Sequence, residues 1–151
     1  MKTLLLVCTF SAVVALAIAG MTKKDLEKKI KEAREECKNE FPITEEEEKG
    51  LREGEPPASQ EGKCFLSCMF RACGTMKDGK FDPEGAKNKA KILFSDDKDK
   101  EQKACDVIDQ CSKEVTTDDT CETGPKIMEC YKGKMPKVKI ICGHEIFLYY
   151  R

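Results

Sequence analysis

Ten cysteines punctuate the 151-residue chain, and their placement constrains its fold more than any other feature. Three of them, Cys64, Cys68 and Cys73, stand in one apolar stretch with Phe65, Leu66, Met69 and Phe70. Such a cluster serves a metal, a redox centre or a set of disulfides, and the compartment decides among these. The first residues speak to the compartment. Lys2 is followed by an uncharged, mostly apolar run from Leu4 to Ala19 that closes on Ala17-Ile18-Ala19, a small-x-small cleavage pattern. A membrane anchor would need about 20 apolar residues; the run is shorter than that and is rich in small residues near its end. Residues 1–19 therefore read as a signal peptide, and residues 20–151 as a single secreted, extracellular domain with no membrane insertion after cleavage.

Cleavage discards Cys8 and leaves Cys37, Cys64, Cys68, Cys73, Cys105, Cys111, Cys121, Cys130 and Cys142. In an oxidising compartment this density reads as a disulfide framework. Zinc at Cys64-x3-Cys68 is the rival, but the single histidine, His144, lies far off near the C-terminus. No Cys-x-x-Cys redox motif occurs. Neither a metal nor a cofactor is expected. Without Lys2 there are 26 basic residues (27 less one) against 28 acidic ones, so net charge gives no reason to expect a nucleic-acid partner or an anionic membrane surface.

The rest of the chain reads as helices. Leu26, Ile30, Ala33 and Cys37 fall at i, i+4, i+7 and i+11 on an otherwise charged segment, which predicts a helix docked by one face. Thr44 with Glu47 forms a capping box for a short acidic helix. A third helix starts near Ser59, runs through Cys64 and Cys68 to about Cys73 and stops at Gly74. Asp78-Gly79 marks a turn, and Asp82-Pro83 an N-cap followed by proline at the first helical position. Ala86, Ala90, Leu93 and Phe94 then share a stripe, as do Ala104, Ile108, Cys111 and Val115 on the next helix. A last helix carries Cys121 to Tyr131. Pro125 lacks an amide donor, so that helix is expected to kink there or to start afresh. The apolar tail from Val138 to Tyr150 is expected to fold back onto the body. The expectation is an all-α bundle of six helices.

Cys64 and Cys68 lie about 40° apart on a helix, so one face is available for bridges to two other elements. Cys121 and Cys130, nine residues apart, point to opposite sides of a continuous helix. The pattern Cys37-x26-Cys64-x3-Cys68-x42-Cys111-x9-Cys121-x8-Cys130, with a leader, resembles the insect odorant-binding protein family. The stretches KCFLSCMF, GTMKDGKFD and VIDQCSKEVTTDDTCETGPKIMECY carry the same resemblance. It implies six helices around a hydrophobic cavity and the pairs Cys37–Cys68, Cys64–Cys121 and Cys111–Cys130, a connectivity that spacing alone does not select from fifteen. Cys105 competes with Cys111 for the fourth family position, and the surrounding text favours Cys111. Cys73, Cys105 and Cys142 are additional; a Cys73–Cys105 bridge between the third and fifth helices is expected, leaving Cys142 odd.

The resemblance further implies a carrier that reversibly binds small hydrophobic ligands such as odorants or pheromones, acts as a monomer or weak homodimer, and delivers its cargo to a membrane chemoreceptor. Leu66, Met69, Phe70, Met76, Leu93, Ile108, Ile127 and Met128 are the expected wall, with Phe147 and Leu148 from the tail and Thr75, Tyr149 and Tyr150 for polar contacts. For each apolar one, plain core packing is the competing assignment. His144 suggests a lid released at acidic pH, against the simpler reading of an exposed side chain without a role. An enzyme is not expected. A phospholipase-like hydrolase needs a His–carboxylate pair, and adjacent residues such as His144 and Glu145 rarely supply it; neither a Gly-x-Ser-x-Gly elbow nor a phosphate loop occurs. Two alternatives stay open: a secreted helical interaction protein without cargo, and the same fold at work in saliva, venom or seminal fluid.

Overall fold

The computed structural model describes residues 20–135. Six helices are present among them: α1 (Lys23–Glu40), α2 (Glu45–Glu53), α3 (Gln60–Ala72), α4 (Pro83–Leu93), α5 (Lys98–Glu114) and α6 (Thr120–Lys134). A short antiparallel hairpin, β1 (Met76–Lys77) with β2 (Lys80–Phe81), joins α3 to α4. The fold is all-α.

Local chemistry sets the helix starts. The Thr22 and Thr44 hydroxyls accept from the amides of Asp25 and Glu47, whose carboxylates in turn accept from the threonine amides. Ser59, Asp82, Asp97 and Asp119 cap α3 to α6 in the simpler way. Each cap contributes about 1 kcal/mol by satisfying an otherwise orphaned amide. Asp78 and Gly79 both adopt positive φ, 52° and 76°, the signature of the tight turn that matches strand twist. The turn is thus a true hairpin, whose two-residue strands are too short to show alternation in sequence.

Helix α3 is the centre of the molecule. Every residue from Cys64 to Phe70 is buried, and the helix packs on α6 and on α1, while α4 packs on α5. Two disulfides leave α3 one turn apart: Cys68 bonds Cys37 of α1, and Cys64 bonds Cys121 of α6. A third, Cys111–Cys130, joins α5 to α6. These are the three pairs implied by the resemblance.

The expected Cys73–Cys105 bridge does not form. Cys105 is a free thiol, whereas Cys73 is disulfide-bonded to a cysteine outside the described residues. Geometry accounts for this. Cys105 stands near Lys87 and Lys91 on one side of α4, while Cys73 lies with Asn88 and Ile92, about a third of a turn around it.

Pro125 neither ends nor restarts α6, which runs unbroken from Thr120 to Lys134. Proline at 125 deprives the Cys121 carbonyl, four residues earlier, of its helical donor. The Ser67 hydroxyl of α3 takes that place, donating to Cys121 O at 3.0 Å and accepting from the Gly124 amide at 2.9 Å. Glycine at 124 is what lets α3 come so close, since a Cβ there would stand 2.8 Å from the Ser67 backbone. The Gly-Pro pair is thus a docking point between helices.

Candidate functional site

A cleft of about 220 Å³ opens between α1, the end of α3 and α4. Met21, Leu26 and Ile30 form one side with Lys29; Ala72, Cys73 and Gly74 form the floor; Gly85, Asn88, Lys89 and Ile92 form the other side. The floor and the α4 side meet at a contact only glycine permits. A Cβ on Gly85 would stand 1.8 Å from the Gly74 carbonyl oxygen, and Gly74 itself has φ +70°. The Cys37–Cys68 bond holds α1 against α3 just below, so the cleft has a covalently fixed frame.

Lys89 is the unusual residue of the lining. It is only 5% exposed, and its ammonium donates to Thr75 Oγ1 at 3.1 Å and lies 5.8 Å above the Phe70 ring centre. Burial disfavours the charged form and lowers its pKa to about 8. It therefore remains mostly protonated at neutral pH. Thr75, itself 1% exposed, is pinned by its own backbone: its amide donates to Phe70 O and its carbonyl accepts from the Asp82 amide, each at 2.8 Å. A signal for Lys89 stood in the sequence, because it falls at i+3 on the stripe begun by Ala86, where a helix face is expected to be apolar.

The expected wall residues occupy a different place. Leu66, Met69, Phe70, Met76, Leu93, Ile108, Ile127 and Met128 are all buried in the hydrophobic core cluster, which also holds Leu26 and Ile30 from the cleft. None of the eight lines the cleft, although Phe70 reaches its edge through Lys89. Phe147, Leu148, Tyr149, Tyr150 and His144 lie outside the described residues, as do residues 1–19, expected to be a signal peptide. Leu26, Ile30 and Ile92 belong to helical stripes or their edges, and sequence alone does not say which member of a stripe borders a void.

A larger groove, about 460 Å³, runs beside the end of α5 and α6. Glu114, Lys126, Glu129 and Lys134 line it with Val115, Cys130 and Gly133, a mixed-charge surface unsuited to an apolar guest. Among the described residues no cluster of three or more His, Cys, Asp or Glu side chains is placed to hold a metal, and no helix is long and apolar enough to cross a membrane.

Known proteins share this frame. General odorant-binding protein 56a of Drosophila melanogaster is 29% identical over 115 residues, 76% of either chain. The solved odorant binding protein 5 of Apis mellifera superposes with a TM-score of 0.66 at 25% identity, over 86% of this chain and 98% of that one. A fatty acid binding protein, OBP56a, from the oral disk of the blowfly Phormia regina matches with a TM-score of 0.59 at 28% identity, over 78% and 97% of the two chains. The family model for PBP/GOBP matches residues 19–134, spanning all six helices and the three disulfides. The chain belongs to the PBP/GOBP family, the insect odorant-binding proteins.

Proposed function

We propose that this protein is a secreted, non-catalytic carrier that takes up a small hydrophobic molecule reversibly in the α1–α3–α4 cleft and moves it through extracellular fluid. The observation that carries the reading is the cleft: an apolar recess beside the core, framed by a disulfide and by a glycine contact. Membership of the PBP/GOBP family supports the class of activity, and the similarity to a fatty acid binding protein supports an alkyl guest. Leu26, Ile30 and Ile92 would hold the chain of such a guest. The core residues behind them, Leu66, Met69 and Phe70 among them, give way as the cleft fills, methionine most readily. The leader at residues 1–19 supports export.

Displacement of a fluorescent apolar naphthylamine from the oxidised protein tests the proposal. Micromolar displacement by medium-chain alcohols, aldehydes or acids is the expected result. No displacement across such a panel would refute carriage and leave the helical surface as the working part of the molecule.

A further inference from the structure

Two of the three sides of the cleft are locked together, and the third is not. The Cys37–Cys68 bond fixes α1 to α3, whereas α4 contains no cysteine and is placed by noncovalent contact alone. That contact rests on Gly85, whose added Cβ would stand 1.8 Å from the Gly74 carbonyl oxygen and 3.0 Å from the Gly74 carbonyl carbon. The Gly74 carbonyl cannot turn aside. It shares a planar peptide with the Thr75 amide, which donates to Phe70 O at 2.8 Å, so swinging it away would break that hydrogen bond. The Thr75 carbonyl accepts in turn from the Asp82 amide at 2.8 Å and ties the start of α4 to the same segment. A side chain at position 85 is therefore accommodated only by moving α4 outward.

Resting on the carrier reading, we propose that Gly85 is a positioning residue that sets the width of the cleft and makes it selective for unbranched over branched alkyl guests. Glycine at this place seats α4 directly on Gly74, with Ile92 across the recess from Leu26 and Ile30. An alanine Cβ needs at least 3.0 Å, so Gly85→Ala moves α4 by about 1.2 Å, 3.0 less 1.8. Across a recess about 6 Å wide, the cube root of 220 Å³, that shift adds about 40 Å³, more than one water molecule's share of about 30 Å³. In a close-fitting apolar pocket a single methylene changes discrimination by about 10–200-fold, so a step of this size is enough to admit a branch.

The test compares 1-octanol with its branched isomer 2,2,4-trimethyl-1-pentanol by displacement of the fluorescent naphthylamine. Wild type should bind 1-octanol at least about tenfold more tightly. Gly85→Ala should bring the two within about threefold, chiefly by tighter binding of the branched isomer. Ile92→Ala sets the same wall back without touching the glycine contact; it should shift the ratio the same way, and it decides the matter where Gly85→Ala does not fold. Gly124→Ala, whose added Cβ crowds Ser67 instead and lies outside the cleft lining, is the control for lost stability and should keep the wild-type ratio. Equal binding of the two isomers by wild type overturns the width-setting role and leaves carriage standing. So does a preference that persists in Gly85→Ala, or one that falls equally in Gly124→Ala. Failure of both isomers to displace the probe from wild type refutes the carrier reading itself.

Discussion

Replacing Gly124 by alanine should destabilise the protein, although alanine is the better helix former. The intrinsic gain from glycine to alanine inside a helix is about 0.5–1 kcal/mol. Against it stands the new Cβ, which meets Ser67 Oγ at 2.6 Å and the Ser67 amide nitrogen and Cα at 2.8 Å each. Backbone atoms cannot rotate away, so α3 and α6 must separate, and overpacking of this kind costs about 1–3 kcal/mol. Separation also stretches the two hydrogen bonds of Ser67, each contributing about 1 kcal/mol, in the region where the Cys64–Cys121 bond holds the helices at a Cα–Cα distance of 4.3 Å. The net loss should be about 1–3 kcal/mol, or roughly 4–12 °C in Tm for a domain of this size. Gly133→Ala in the same helix is the internal control. Nothing stands within 4 Å of its added Cβ, so it should gain up to about 0.5–1 kcal/mol. Thermal melts of the oxidised proteins by circular dichroism read both. If Gly124→Ala melts at or above wild type with the Cys64–Cys121 bond intact, the close-approach account of the Gly-Pro pair is wrong.

Acid should reveal the second polar knot. Glu48 is buried to 12% side-chain exposure; burial would raise its pKa, but hydrogen bonds from Lys38 and Arg52 and the charges of Arg34 and Lys38 outweigh that and bring it to about 2. A depressed folded pKa gives stability that is full above the ordinary value of 4.5 and is lost as pH falls through the folded one. The urea-measured gap between wild type and Glu48→Gln, at most about 3 kcal/mol, should therefore close between roughly pH 4.5 and 2; a gap constant over that range would contradict the assignment. Thiol chemistry is equally specific. Burial raises the Cys105 pKa, with Glu101 adding to it, so iodoacetamide should label Cys105 in the native protein only slowly, and faster in denaturant. With residues 1–19 removed as the expected signal peptide, a non-reducing peptide map should recover Cys73 joined to Cys142; a Cys73–Cys105 peptide would be the contrary finding.

What was legible in the sequence was local. Thr44 with Glu47, and Asp82 with Pro83, announce helix starts because a cap and its target amide lie three residues apart. The stripe from Leu26 to Cys37 is read correctly for a similar reason, its period being intrinsic to the helix. Pro125 was misleading because its remedy, Ser67, comes from 54 residues away from Cys121, beyond any local pattern. The disulfide pairs became readable only through the resemblance, since loop closure leaves no trace in spacing. The cleft was hardest. Its walls depend on which faces of α1 and α4 turn toward each other, and on a glycine contact between Gly74 and Gly85 that sequence presents as two unrelated glycines. The burial of Lys89 is hard to read because lysine normally solvates a helix, and only its position on the stripe marks it.

The three disulfides that lie within the described residues overlap along the chain as well as in space. Cys37–Cys68 spans the segment into which Cys64–Cys121 begins, and that bond in turn reaches past the start of Cys111–Cys130. Every peptide bond from Cys37 to Cys130 is therefore bypassed by at least one covalent bridge. A protease that cuts once anywhere in this interval, in the exposed turn around Glu55 for instance, leaves one molecule still held together by disulfides. Damage that would halve an ordinary bundle becomes a nick that only a reducing gel can see.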